Sequence, residues 1–281
     1  MTNGVARVHS YHAEATVLEG QLQLPLDQEI KPQAYLKIPE RGGYLSQRTK
    51  DFRLGAAVSF KSAYTQVAGN KDVKSGHGWS TLATSVVEGL NVLDIVTADR
   101  VVGQIAIEHP LVGYVPHVTF LGTRFENLRI AGHPVKLDLD LDILGPKPEK
   151  DAPYSKAPGL SDRVAKQHDG VRAHPSLLAE LIGRYRGIAS FPEKPNAIEC
   201  SLVNSADGSF PGRSFGHVIE VPNFGTIVLA ALRLDQSDYQ ADTGIPKSTL
   251  FSLTMIELRM GCLAGGKLQV VSTHANGTSH P

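Results

Sequence analysis

The chain has 281 residues, 41% of them hydrophobic, and its 28 basic and 28 acidic side chains leave no formal net charge. This balance excludes a disordered chain and any broad electrostatic attraction to nucleic acid or an anionic membrane. At this length about three quarters of the unfolded surface is buried on folding, enough for one large all-β domain.

Glycine (27) and proline (17) are plentiful and aromatics make up only 6%, a usage that suits many turns between short strands. The two cysteines, Cys200 and Cys262, do not make a disulfide framework and read as reduced, buried thiols, with a single disulfide between them as the alternative. No apolar h-region opens the chain and no run of about 18 apolar residues follows. The expectation is a cytoplasmic protein as the sequence stands, and an extracellular one if a signal peptide has been removed, with no membrane span.

In chain order, Leu22, Leu24 and Leu26 recur with period two, so residues 21–26 read as a strand that Pro25 confines to an edge. Residues 34–38 form a second short strand stopped by Pro39. Leu54, Ala56, Val58 and Phe60 continue the short period. Leu82, Val86, Leu90 and Leu93 have helical spacing, but β-branched residues crowd 81–97 and Gly89 interrupts it, so strands are expected. Val101, Gly103, Ile105 and Ile107 alternate with polar or smaller partners, and 114–121 and 125–130 add further strands. The clearest alternation is 135–143. It places Val135, Leu137, Leu139, Leu141 and Ile143 on one face and Lys136, Asp138, Asp140 and Asp142 on the other.

Character changes at Gly145. Four prolines among charges at 145–159 read as linker, followed by a short helix at 161–167, capped by Ser161 and stopped by Gly170. A better helix is expected at 175–186, with Pro175 in its first turn and Leu177, Leu178, Leu181, Ile182 and Tyr185 as its stripe. Strand pattern resumes at 197–203 and continues through 217–221, 225–234, 250–260 and 267–273. The expected organisation is an N-terminal β part (1–144), a Pro-rich and helical insertion (145–195), and a C-terminal β part (196–281) that completes the same domain.

Several of these pieces resemble the choice-of-anchor proteins of the P type, a group of bacterial surface proteins. They are A-Y-L-K-I-P-E-R-G-G at 34–43, A-T-S at 83–85 leading through Leu90 to V-T-A-D at 96–99, and G-T-R-F-E-N-L-R-I-A-G-H-P-V at 122–135. V-P-N-F-G-T-I-V-L at 221–229 and L-T-M-I-E-L at 253–258 complete the set. The resemblance implies a β-rich extracellular module of undefined activity and carries over no catalytic residues. The absence of a signal peptide and anchor segment, and the 145–195 insertion, depart from that pattern.

Three features carry candidate chemistry. The Asp138, Asp140, Asp142 ladder is a candidate divalent-cation site. However, successive same-face side chains lie about 7 Å apart, and a solvated face paired with Arg129 or Lys136 is the preferred reading. His109, His117 and His133 stand near strand ends, where convergence would make a transition-metal or acid–base site together with Asp99; turn histidines are preferred. The glycine-rich 208–216 stretch lacks the helix that a phosphate cradle needs and reads as a loop. Trp79 reads as a core anchor rather than a stacking platform. No P-loop, dinucleotide fingerprint or nucleophile elbow is present.

The sequence therefore predicts an all-β, mainly antiparallel β-sandwich with a short α-helical insertion. Its expected function is that of a non-enzymatic structural or binding module that self-associates and takes a small-molecule ligand, without cofactor. The alternative is an enzyme with a pocket at the sheet ends, built from His109, His117, His133 and Asp99 and covered by the insertion.

Overall fold

Period-two sequence with β-branched residues grows into strands longer than the individual apolar runs, because the long inner strands are paired on both sides. The computed structural model describes residues 8–24, 27–71, 77–149, 152–174, 177, 179–184, 197–237, 248–261 and 265–280. These form, in order, β1 (Val8–Leu24), β2 (Gln28–Gln33), β3 (Leu36–Lys37), β4 (Gly43–Leu54), β5 (Val58–Lys71), β6 (His77–Val92) and β7 (Val96–Pro110). The short strands β8 (His117–Thr119), β9 (Arg124–Glu126), β10 (Arg129–Ile130), β11 (His133–Pro134) and β12 (Lys136–Leu139) follow. Helices α1 (Leu160–Arg172) and α2 (Ala179–Arg184) come next. The chain ends with β13 (Ala197–Ser201), β14 (Val203–Asp207), β15 (Arg213–Phe215), β16 (Val218–Val221), β17 (Gly225–Ser237), β18 (Ser248–Gly261) and β19 (Gly265–His280).

The architecture is an all-β antiparallel sandwich with a short helical insertion. One sheet runs β15-β16-β17-β18-β19-β1-β2, with β13 beside β17 and β3 beside β1. The other runs β11-β10-β7-β6-β5-β4, with β8 and β9 on β7. The strand reading of 81–97 holds: β6 is paired along its length with β5 and β7. β1 is not an edge. It lies between β19 and the short β2 and β3, and Pro25 lies outside the described residues.

A crease crosses four strands of the first sheet. Pairing steps from Leu18–Val270 to Thr16–Ser272, from Ile256–Val270 to Thr254–Ser272, and from Leu229–Ile256 to Ala231–Thr254. In each strand two successive residues are buried there: Val17 and Leu18, Leu229 and Ala230, Met255 and Ile256, Val270 and Val271. Inward and outward positions therefore change phase at the crease. Ala230 and Val271 take left-handed backbone, at φ 45° and 59°; for a β-branched residue this is strained. The second sheet holds the crease in place. Ser85 donates its hydroxyl to the Ser272 carbonyl at 3.0 Å. Gly103 leaves room for Val271 and Met255, because a Cβ at that position would lie 2.9 Å and 3.0 Å from their side chains.

The 135–143 alternation is largely not a strand of either sheet. β12 ends at Leu139 and, among the described residues, pairs only with β14. Beyond it the Asp140 carboxylate accepts the Asp142 amide at 3.0 Å, closing an Asx-type turn that carries Ile143 into the core. In the insertion, α1 runs through Gly170 to Arg172, and its N-cap is Gly159 rather than Ser161. α2 covers Ala179–Arg184; Pro175, Leu178 and 185–187 lie outside the described residues.

Candidate functional site

The outer face of the first sheet carries a large concavity. Before the crease, direct pairing aligns Arg213, Glu220, Thr226, Arg259, Lys267, Gln21 and Glu29 in one row across seven strands, β15 to β2. Directly paired residues share a face, so the row spans about 29 Å of one surface at ~4.8 Å per strand. A cleft of about 930 Å³ lies over this row, lined by Gln21, Gln23, Arg213, Glu220, Thr226, Arg259 and Lys267 together with Pro222, Asn223 and Met260. Glycines form part of its floor. A Cβ on Gly266 would lie 2.2 Å from the Gln21 carbonyl oxygen, and one on Gly225 2.1 Å from that of Arg259. At these points the sheet closes only because no side chain is present.

Ion pairs stand on this face, one within the cleft and the others beyond it. Arg213 donates to Glu220 at 2.6 Å. Arg184 of α2 reaches Glu199 at 2.9 Å and Glu257 at 2.5 Å, and Arg233 joins Glu199 at 3.1 Å and Asp235 at 2.7 Å. The insertion therefore forms a wall of this face. Val171, Leu177 and Leu181 pack on Phe215, Val218 and Val228, the apolar end of the adjoining row. Two histidines lie beneath the wall. His168 is bonded through Nε2 to the Glu199 carbonyl at 2.6 Å, and burial pushes the pKa of His217 down to about 3, helped by the nearby charges of His168 and Arg184. Cys200 is a free, buried thiol, its pKa pushed up to about 12 by burial and then by Glu199 and Asp140. Cys262 lies outside the described residues.

The sequence candidates do not converge. Asp99 and His109 are ten residues apart on β7, roughly 33 Å along a strand. Asp99 is exposed and accepts from Asn127 at 2.6 Å. His133 is exposed on β11, in the ladder that β10 adds beside Val96 and Thr97, at the opposite end of β7 from His109. His117 pairs with Glu108 and is exposed, whereas His109, one residue further along, points between the sheets. Strand parity separates them.

The real partner of His109 is one the sequence reading missed. His9 lies 4.8 Å from it, centroid to centroid, and stacks on Trp79 at 4.9 Å. Burial lowers the His109 pKa to about 3, with smaller contributions from His9 and Lys147. Its Nε2 has no hydrogen-bond partner among the described residues. Trp79 is the core anchor expected of it. The start of the insertion passes this end of the sheets, where Tyr154 donates to the Pro116 carbonyl at 2.7 Å.

In the Asp ladder, Asp138 accepts from Asn204 at 3.3 Å and Asp140 closes its turn, so neither Arg129 nor Lys136 is the partner these bonds show. Among the described residues, no group of three or more histidine, cysteine or acidic side chains is placed to hold a metal ion. None of the described helices is long and apolar enough to cross a membrane.

A family described as a domain of unknown function (DUF8256) matches residues 9–235. The chain belongs to that family. The family match takes in Gln21, Arg213, Glu220 and Thr226 of the row and stops at Asp235, before the strands that carry Arg259 and Lys267. No curated protein and no solved structure matches the chain.

Proposed function

We propose that this protein is a non-enzymatic binding module whose ligand lies in the cleft on the outer face of the first sheet. The observation that carries this reading is the cross-strand row, which gathers charged, amide and hydroxyl side chains from six strands around one large cleft. The enzyme alternative loses support because its residues sit on different faces and at different ends of β7. The resemblance to choice-of-anchor proteins favours the same reading, a β-rich module displayed outside the cell. Self-association through the β4 edge is a second part of the proposal, argued in the Discussion.

The test is a titration of the isotope-labelled full chain with a panel of small polar ligands, followed by amide NMR. Shifts clustered on Gln21, Thr226, Arg259 and Lys267 are expected. Shifts clustered on His9, Trp79 and His109, or chemical conversion of a panel member, would overturn the reading in favour of the enzyme.

A further inference from the structure

The insertion sits on the sandwich through an apolar contact of its own. Val171 at the end of α1, Leu177, and Leu181 of α2 pack on Phe215, Val218 and Val228, a buried cluster separate from the main core. Leu160 and Val164, in the first half of α1, belong to the main core instead. The insertion is therefore divided. The start of α1 is fixed with the sandwich, whereas its end and α2 are seated by three apolar side chains on three.

Polar groups complete this contact. Arg184 joins α2 to Glu199 of β13 and Glu257 of β18, and Arg233 of β17 also holds Glu199. His174 lies against the Phe215 ring, centroids 4.0 Å apart, and the Arg213 guanidinium stands 5.6 Å from the centre of that ring. His168 of α1 donates from Nε2 to the Glu199 carbonyl. His217 is buried under the insertion, where His168 and Arg184 act on it electrostatically. His168 can take up a proton and keep its bond, because an imidazolium still donates. His217 cannot do so in place without setting a charge, out of water, near a guanidinium. We propose that the end of α1 and α2 form an acid-released cover: protonation of His217 frees them from the first sheet and bares Phe215, Val218 and Val228 while the sandwich stays folded. Val218 and Val228 are cross-strand partners in the row next to the one that carries the cleft. Their use by a ligand rests on the reading of that face as the binding surface; the release itself does not.

Amide hydrogen exchange of the full chain, followed by NMR at pH 7 and pH 5 and expressed as protection factors, tests this without any ligand. A histidine that titrates near 6.5 when released and near 3 when seated raises the opening constant about 25-fold between those two pH values. Protection of α2 and of Val171 to Ala173 should fall by about that factor while β17, β18 and β19 keep theirs. His217→Gln, which has no proton to gain, should abolish the fall. Leu181→Ala should unprotect the same helical amides already at pH 7 and leave β17 to β19 protected, so the separateness of the cover is tested even if the glutamine variant does not fold. Unchanged protection at pH 5, or protection lost only together with β17 to β19, would overturn the cover. A local fall that persists in His217→Gln would overturn the part of His217 and pass the release to Glu199 and Glu257. None of these outcomes alters the reading of the cleft, which its own ligand titration decides.

Discussion

The histidines show what single residues contribute and how little of it a local pattern reveals. His9 and His109 belong to strands in different sheets, a hundred residues apart in sequence, and meet only because the sheets face each other. The sequence marked His109 for its place at a strand end, but nothing near His9 distinguished it from other N-terminal residues. His109 and His217 are both held neutral by burial, with pKa values of about 3, against an unfolded value of about 6.5. Between those two values the unfolded chain binds protons that the folded chain refuses, so stability falls as pH falls. The contribution is whole above about pH 6.5 and is lost progressively towards pH 3, amounting to a few kcal/mol for each group. Melting temperature should therefore drop steeply between pH 6.5 and 4, and His109→Gln with His217→Gln should flatten that slope whatever it does to the absolute value. An unchanged slope in the double variant would assign acid sensitivity to other groups.

At the scale of the element, strands flanked on both sides were legible through their apolar period at 101–107, and through β-branched residues against a helical spacing at 82–92. The 135–143 alternation looked better than any of them and was largely not a strand. Alternation reports only which side chains face inward, and a turn closed by Asp140 satisfies it equally well. The crease has a faint signature, a pair of adjacent apolar residues at the same level of four strands, visible only once their register is known. The cleft was illegible for the same reason: Arg213 stood in what read as a loop, and Arg259 and Lys267 lay in two separate expected strands, 250–260 and 267–273. β4 raises a separate question. Among the described residues it pairs only with β5, and residues 43–48 are exposed on both strand faces, including Tyr44 and Leu45. Further along, Lys50, Arg53 and a left-handed Asp51 at φ 54° blunt the edge, as edge strands that avoid pairing commonly do. The open half is the pairing surface proposed for a second copy of this chain, whose zero net charge sets up no repulsion. Sedimentation at rising concentration should show a dimer, and Ser46→Lys with Gln47→Lys should return it to monomer with an unchanged melting temperature. A monomer at every concentration would remove self-association.

For the whole molecule, the order of strands matters more than the order of sequence. The family match ends at Asp235, as though the unit closed there. In space β18 and β19 lie between β17 and β1, joining the end of the matched stretch to its beginning. Without them β1 would keep only the short β2 and β3 as partners, and β17 would keep β13 and β16. The crease would lose two of its four strands, and Phe251, Leu253, Met255, Ile256, Leu258, Leu268, Val270 and Val271 would leave the core. Removing this many fully buried side chains, each worth about 1.5–3 kcal/mol, far exceeds the 5–15 kcal/mol that holds a typical domain together. A chain of residues 1–235 should therefore show no cooperative unfolding transition in urea and no dispersed amide spectrum, whereas the full chain shows both. A folded 1–235 fragment would mean that the first sheet closes without its two central strands. The row that defines the cleft would then belong to an added layer rather than to the fold itself.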